Sequence, residues 1–365
     1  MSPPAPTPLV IRFGAFGDMV LMIPILKLLH QRYGAACDLV ASGAWTEPLL
    51  QRVPAVARRT YLTSRRAPYW FNRSQQQLVR WLRSRPPGPV YVFESDEKPL
   101  ALLRRAGIPR GHICTLRDFP RQPGEHILAH AARLARTTPS AFASFASSAA
   151  LPLPDSRPVL TDADHRDCAA WLAQHHLDSV PLVLLQAGNK KTMKGGDRRR
   201  ASNVDFWPED RWARVIESVF SALPSARIVL CGSPSERPLA EDIAAQLPSA
   251  RDRILIATDE LPIPRLLALQ SRAHSLISVN TGPAHAAAAM GCPLAVLFTR
   301  HAHRAADLYA PVPTTAPVQI IQPPPSEADP TLATITPDDV LTAWRALSSS
   351  SPITSSQTHA TIPSP

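Results

Sequence analysis

The residues best suited to chemistry lie in a few short stretches. In the first, an apolar run from Ser275 to Val279 ends in the polar turn Asn280-Thr281-Gly282, followed by Pro283, Ala284, His285, more alanines and Gly291. This pattern predicts a buried strand, then a helix that opens at Pro283 and stops at Gly291 ahead of Pro293. The open N–H groups and the dipole at such a helix start suit a phosphate or diphosphate. The same residues also make an ordinary strand-to-helix turn of an α/β protein. His285 suits packing against the sheet as well as a ligand contact.

A second stretch, Phe13-Gly14-Ala15-Phe16-Gly17-Asp18, joins a short strand, Leu9 to Arg12, to an apolar helix from Met19 to Arg32 that Pro24 is expected to kink. Gly14 and Gly17 permit a tight turn and close approach of a ligand. Asp18 is a candidate general base, and equally a carboxylate favoured by the helix dipole. The turn is not G-x-G-x-x-G, so it carries no dinucleotide fingerprint. A third stretch, the loop Gly188 to Arg200, is strongly basic and includes Lys190, Lys191 and Lys194. A connection of that length in an α/β unit is usually functional or disordered, and its charge favours phosphate contact. A fourth is the turn from Gly232 to Glu236. Asp162-Ala163-Asp164 resembles a metal-binding pair, but a Thr161 N-cap with acids in the first turn explains it better.

The elements that position these residues alternate. Cys37 to Ala41, Val90 to Phe93, Leu182 to Gln186, Arg227 to Cys231, Ile254 to Ala257 and Leu294 to Phe298 read as strands. Thr46 to Val53, Gln75 to Arg83, Lys98 to Ala106, Glu125 to Arg136 and the stretch opening at Trp207-Pro208-Glu209 read as helices. Such alternation predicts βαβ units and mainly parallel sheets. Arg58, Arg59, Arg65 and Arg66 are expected around a loop holding Pro68, Tyr69 and Trp70, a combination that suits a membrane surface, an anionic glycan or a plain solvated face. Residues 137–158, rich in Ser, Ala, Pro and Thr, read as a linker.

Composition narrows the classes. The net charge is +10. Residues 1–155 hold 20 Lys or Arg against 9 Asp or Glu, while the remainder is balanced. That asymmetry points to an anionic partner. No apolar run reaches the ~18 residues of a membrane-spanning helix, and the start of the chain lacks the features of a signal peptide. Cys37, Cys114, Cys168, Cys231 and Cys292 have no metal-ligand spacing and read as free thiols in a reducing cytoplasm.

Four of these turns, in this order and at this spacing, resemble glycosyltransferase family 9, the heptosyltransferases of lipopolysaccharide core assembly. They are the strand and turn ending in Gly17-Asp18 with the helix through Pro24, the start Trp207-Pro208-Glu209, Gly232 with Glu236, and Thr281 to His285. The resemblance spans about residues 9 to 347. It implies a GT-B fold, two Rossmann-like α/β domains facing across a cleft, with the acceptor on the N-terminal domain and an ADP-activated sugar on the C-terminal one. It implies inversion at the anomeric carbon with neither metal nor cofactor. Asp18 falls on the proposed base, beside the acceptor turn with Gly14 and Gly17. Asn280, Thr281, Gly282, Pro283 and His285 fall on donor positions, and Gly232 and Glu236 where the nucleoside is held. A positioned base contributes ~10²–10⁴-fold to such a transfer, and helix N–H groups can stabilise the leaving diphosphate.

The chain departs from the family pattern at Asn280, where an aspartate is usual, and at Asp205, where a lysine is common. The phosphate role of that lysine would either pass to Lys190, Lys191 or Lys194, or be lost. Gly14, Ala15 and Phe16 replace serines. The domains are expected as a leader 1–8, an acceptor domain 9–155, a nucleotide-sugar domain 156–348 and a disordered tail 349–365. The expected partners are a nucleotide-sugar, an anionic glycolipid acceptor and the inner face of the cytoplasmic membrane, with no nucleic acid. The alternatives are a nucleotide-dependent sugar epimerase or oxidoreductase, which the missing glycine fingerprint weighs against, and a non-catalytic nucleotide-binding GT-B protein, which the departures motivate.

Overall fold

The computed structural model describes residues 5–64, 68–145, 151–189, 192–193, 203–301, 305–325 and 330–349. They divide into two compact units, the first ending at Val159 and the second beginning at Leu160.

In the first unit β1 (Leu9–Arg12) lies at the centre of a five-stranded parallel sheet. It is flanked by β2 (Cys37–Ala41) and β4 (Val90–Val92), with β3 (Val56–Tyr61) and β5 (Ile113–Thr115) at the edges, giving the order β3-β2-β1-β4-β5. The inner strands are apolar almost throughout because helices cover both faces. Helix α1 (Phe16–Tyr33) runs as one element through Pro24. It ends where Gly34 adopts a left-handed conformation, φ 65°, and returns its N–H to His30 O. The short α2 (Glu47–Leu50) is followed by α3 (Arg73–Ser84), α4 (Lys98–Ala106) and α5 (Ile127–Arg136).

The second unit contains α6 (Asp162–Gln174), β6 (Leu182–Gln186), α7 (Glu209–Ala222), β7 (Arg227–Leu230), α8 (Arg237–Ala245), β8 (Ile254–Ile256), α9 (Ile263–Gln270), β9 (Ser275–Val279), α10 (Gly282–Met290), β10 (Leu294–Leu297), α11 (Ala306–Tyr309), β11 (Val318–Ile321) and α12 (Pro337–Ser349). Its six parallel strands run β11-β10-β9-β6-β7-β8. Relative to the first strand of the unit this is the doubly wound nucleotide-binding order, and the first unit has five strands of the same order. The core of the second unit holds Trp207 and Trp212, fully buried and packed edge to face at 4.7 Å. Trp207 Nε1 donates to Ile335 O at 2.9 Å, satisfying the one polar atom that this ring buries.

Several sequence expectations change. Arg58 and Arg59 stand on strand β3. β3 is an edge strand, paired only with β2; exposed Arg58 lies over the Trp81 ring at 5.0 Å, and Arg59 Nε donates to Glu47 Oε1 at 2.8 Å. The unforeseen strands β3, β5 and β11 are all edges, where short or half-buried segments need no apolar run. Pro208 is the N-cap of α7, whose first residue is Glu209. Residues 137–145 are packed on the first unit: Arg32 donates to Thr138 Oγ1 at 2.8 Å, and buried Phe142 meets His112 edge-on at 4.9 Å. The first unit also extends past residue 155. Lys27 Nζ binds Asp155 Oδ1 at 2.7 Å and Arg157 O at 2.9 Å, and Val159 N–H donates to Arg52 O at 2.7 Å. The expected tail from residue 350 onward and the first four residues lie outside the described residues.

Candidate active site

In doubly wound sheets ligands bind beyond the carboxyl ends of the strands, where the strand order reverses. In the first unit that point lies between β1 and β4, and Asp18 stands beside it. Helix α1 begins at Phe16, three residues earlier than its apolar run suggests, so Asp18 occupies the third helical position. Its Oδ2 accepts from Ala15 N–H at 2.8 Å and its Oδ1 from Arg12 at 2.9 Å. The structure thus makes Asp18 the capping carboxylate of α1, and leaves its side chain 30 % exposed. A carboxylate has about four lone-pair positions, so two such bonds leave capacity for a substrate hydroxyl.

The surroundings of Asp18 are built closely. Arg12 also donates to Phe93 O at 2.6 Å and lies 3.6 Å from Glu94 Oε1, which accepts from Phe13 N–H at 2.6 Å. Arg12, Asp18 and Glu94 thus form one charged cluster across the ends of β1 and β4. A methyl group on Gly14 would overlap Asp18 Cβ and lie 3.1 Å from Arg12 Nε. Glycine at 14 is what lets the turn pass the carboxylate. Gly17 is buried in the first turn of α1.

In the second unit the reversal lies between β6 and β9, where Gln186 is in register with Ser278. Asn280, Thr281, Gly282 and Pro283 are half-buried at the start of α10, and the Thr281 side chain makes no capping bond. The helix start therefore stays open to an external acceptor. Asn280 N–H is held by Leu297 O at 3.0 Å, and Pro283 O accepts from Gln270 Nε2 at 2.8 Å, so the turn is fixed from both sides. His285 is buried one turn further on.

Gly232 adopts φ 155°, and a side chain there would crowd Glu236 Cβ at 3.1 Å. Glu236 is 7 % exposed. Its Oε2 accepts from Ser233 N–H (2.8 Å) and Ser233 Oγ (2.7 Å), and its Oε1 from Gln186 Nε2 (2.8 Å). The carboxylate thus braces the turn after β7 to the end of β6, and Gln186 also donates to Gly188 O at 2.8 Å. Two buried polar atoms at these strand ends, Gln186 Oε1 and Thr258 Oγ1, have no partner among the described residues. Unpaired buried polar atoms at strand ends beside the reversal are what a polar ligand would satisfy.

Lys190, Lys191 and Lys194 lie outside the described residues. Arg12, Glu94, Gln186 and Thr258 were missed in the sequence; the available signal was their position at strand ends flanking the two reversals. Asp164 caps α6 reciprocally with Thr161, at 2.9 and 3.3 Å, as the sequence suggested. Among the described residues no group of three His, Cys, Asp or Glu is placed to hold a metal ion, and no helix is long and apolar enough to cross a membrane.

Two Rossmann-like parallel α/β units, each with chemistry-bearing turns at its strand reversal, define a protein of the GT-B type. The model of glycosyltransferase family 9 (heptosyltransferase) matches residues 142–327, and the chain belongs to that family. Among solved structures it is similar to the ADP-heptose lipopolysaccharide heptosyltransferase II of E. coli, with 20 % identity, 93 % of this chain and 98 % of that one covered, and a TM-score of 0.72. It is similar to a family 9 glycosyltransferase of Veillonella parvula (16 %, 95 % and 98 %, 0.72) and to E. coli heptosyltransferase WaaC with ADP (17 %, 93 % and 99 %, 0.64). No curated protein matches the sequence.

Proposed function

We propose that this family 9 glycosyltransferase moves a heptose from an ADP-activated donor to a lipopolysaccharide-core or related surface glycan, in the cytoplasm, on an acceptor anchored in the inner membrane. The observation that carries the reading is Asp18, ionic, half-buried and fixed by Arg12, Ala15 and the close passage of Gly14. An acceptor hydroxyl oxygen attacks the anomeric carbon as its proton passes to Asp18. The bond from that carbon to the diphosphate oxygen breaks, and the configuration inverts. The first unit holds the acceptor. The second holds the donor, with the diphosphate at the start of α10, where Thr281, Gly282 and their neighbours face the charge that develops on the leaving group. Lys190, Lys191 and Lys194 supply further charge to it, and Gly232, Glu236 and Gln186 shape the nucleoside end. Neither metal nor cofactor takes part, so chelation with EDTA leaves the rate unchanged.

Incubation with ADP-heptose of defined anomeric configuration and a lipid-free core acceptor tests the proposal. Release of ADP with a product of opposite anomeric configuration by NMR is expected. Retention of configuration, or no turnover at high enzyme concentration, would contradict it.

A further inference from the structure

We propose that the turn Tyr69–Phe71 and the outward face of α3 form a docking surface for an anionic lipid bilayer. Trp70 is 76 % exposed and Phe71 86 %. Two neighbouring aromatic rings that open to water mark a contact surface rather than a packing residue. The turn that carries them is firmly held. Gln76 Nε2 donates to Tyr69 O at 3.1 Å and to Trp70 O at 2.9 Å. Asn72 caps α3 through Gln75 N–H and donates to Ser64 O at 2.8 Å. The Tyr69 ring packs edge-on to Trp70 at 5.3 Å and lies 4.9 Å from the Arg105 guanidinium. The exposed rings are thus presented by an ordered scaffold.

Charge identifies the occupant. Residues 48–93 contain nine arginines and no acidic residue; Arg59 and Arg85 are paired with Glu47 and Asp38, whereas Arg73 and Arg80 are exposed. On α3, Arg73 and Arg80 recur on one exposed face next to the rings, with Gln77 between them. Aromatic rings at headgroup depth beside arginines that meet anionic lipid are the chemistry of peripheral membrane attachment. A nucleic-acid partner would call for basic groups along a groove; here the exposed Arg73 and Arg80 stand on the helix that directly follows the two exposed rings. Docking there would hold the first unit at the surface that carries a lipid-anchored acceptor.

Sedimentation of the full-length protein with vesicles tests the assignment without any substrate, so its outcome is independent of the transfer reaction. Wild-type protein should sediment with phosphatidylcholine vesicles containing about one third phosphatidylglycerol, stay in solution with phosphatidylcholine alone, and be released by ~1 M salt. The double substitution Trp70→Ser/Phe71→Ser should lower the partition coefficient about tenfold or more. Arg73→Ser and Arg80→Ser should each lower it roughly fivefold. All these side chains are exposed, so thermal melting of the variants should match the wild type. The assignment is overturned if wild-type protein ignores anionic vesicles or if the double variant binds them equally well. It is likewise overturned if the variant keeps vesicle binding and loses affinity only for a lipid-free phosphorylated oligosaccharide, which would make the turn a glycan site.

Discussion

Asp18 accepts one bond from the backbone of its own turn and one from Arg12, and the turn can pass it only because residue 14 has no side chain. Position 14 is therefore a sensitive probe. Gly14→Ala should displace Asp18 and cost about 1–3 kcal/mol of stability through overpacking. Turnover should fall while ADP affinity, which the proposal places in the second unit, is unchanged; calorimetry and steady-state rates check both. Asp18 and Gly14 were legible in the sequence as a glycine turn ending in a carboxylate. Arg12 and Glu94 were not, because their roles depend on strands β1 and β4 being neighbours, a tertiary fact. The buried thiols also behave differently from their exposed model compounds. Burial pushes Cys231 up to about 12 and Cys292 to about 12, so neither acts as a nucleophile near neutral pH.

At the scale of elements, central strands and amphipathic helices announced themselves by apolar runs and caps. The edge strands did not: β3 and β11 are half exposed, so β3 tolerates arginines, and β5, though buried, is only three residues long. The stretch 137–158 looked like a linker by composition, yet Phe142, Asp155 and Arg157 tie it to the first unit. In the second unit α6 and α9 are joined by Asp167 and Arg265, with both carboxylate oxygens engaged at 2.8 Å. The hydrogen bonds from Arg265 hold the Asp167 carboxyl below its ordinary value. A depressed carboxyl stabilises the fold above its unfolded pKa of about 4. That contribution is lost as pH falls through the lower folded value. Asp167→Asn should therefore lower the melting temperature at pH 7, and the difference should vanish near pH 2, as calorimetry across that range would show.

For the whole molecule, the sequence made two Rossmann-like units legible because both repeat the same alternation, and it exposed the charge asymmetry between them. It could not show which strand ends flank each reversal. If the second unit holds the nucleotide, ADP at about a hundredfold excess over its Kd should stabilise the protein by ~2–3 kcal/mol. UDP, GDP and NAD should stabilise it less in the same thermal-shift experiment. The most direct test of the account is turnover of Asp18→Asn with ADP-heptose and acceptor, measured beside its affinity for ADP. The account predicts a turnover loss of ~10²–10⁴-fold with unchanged nucleotide affinity; turnover equal to that of the wild type would contradict it.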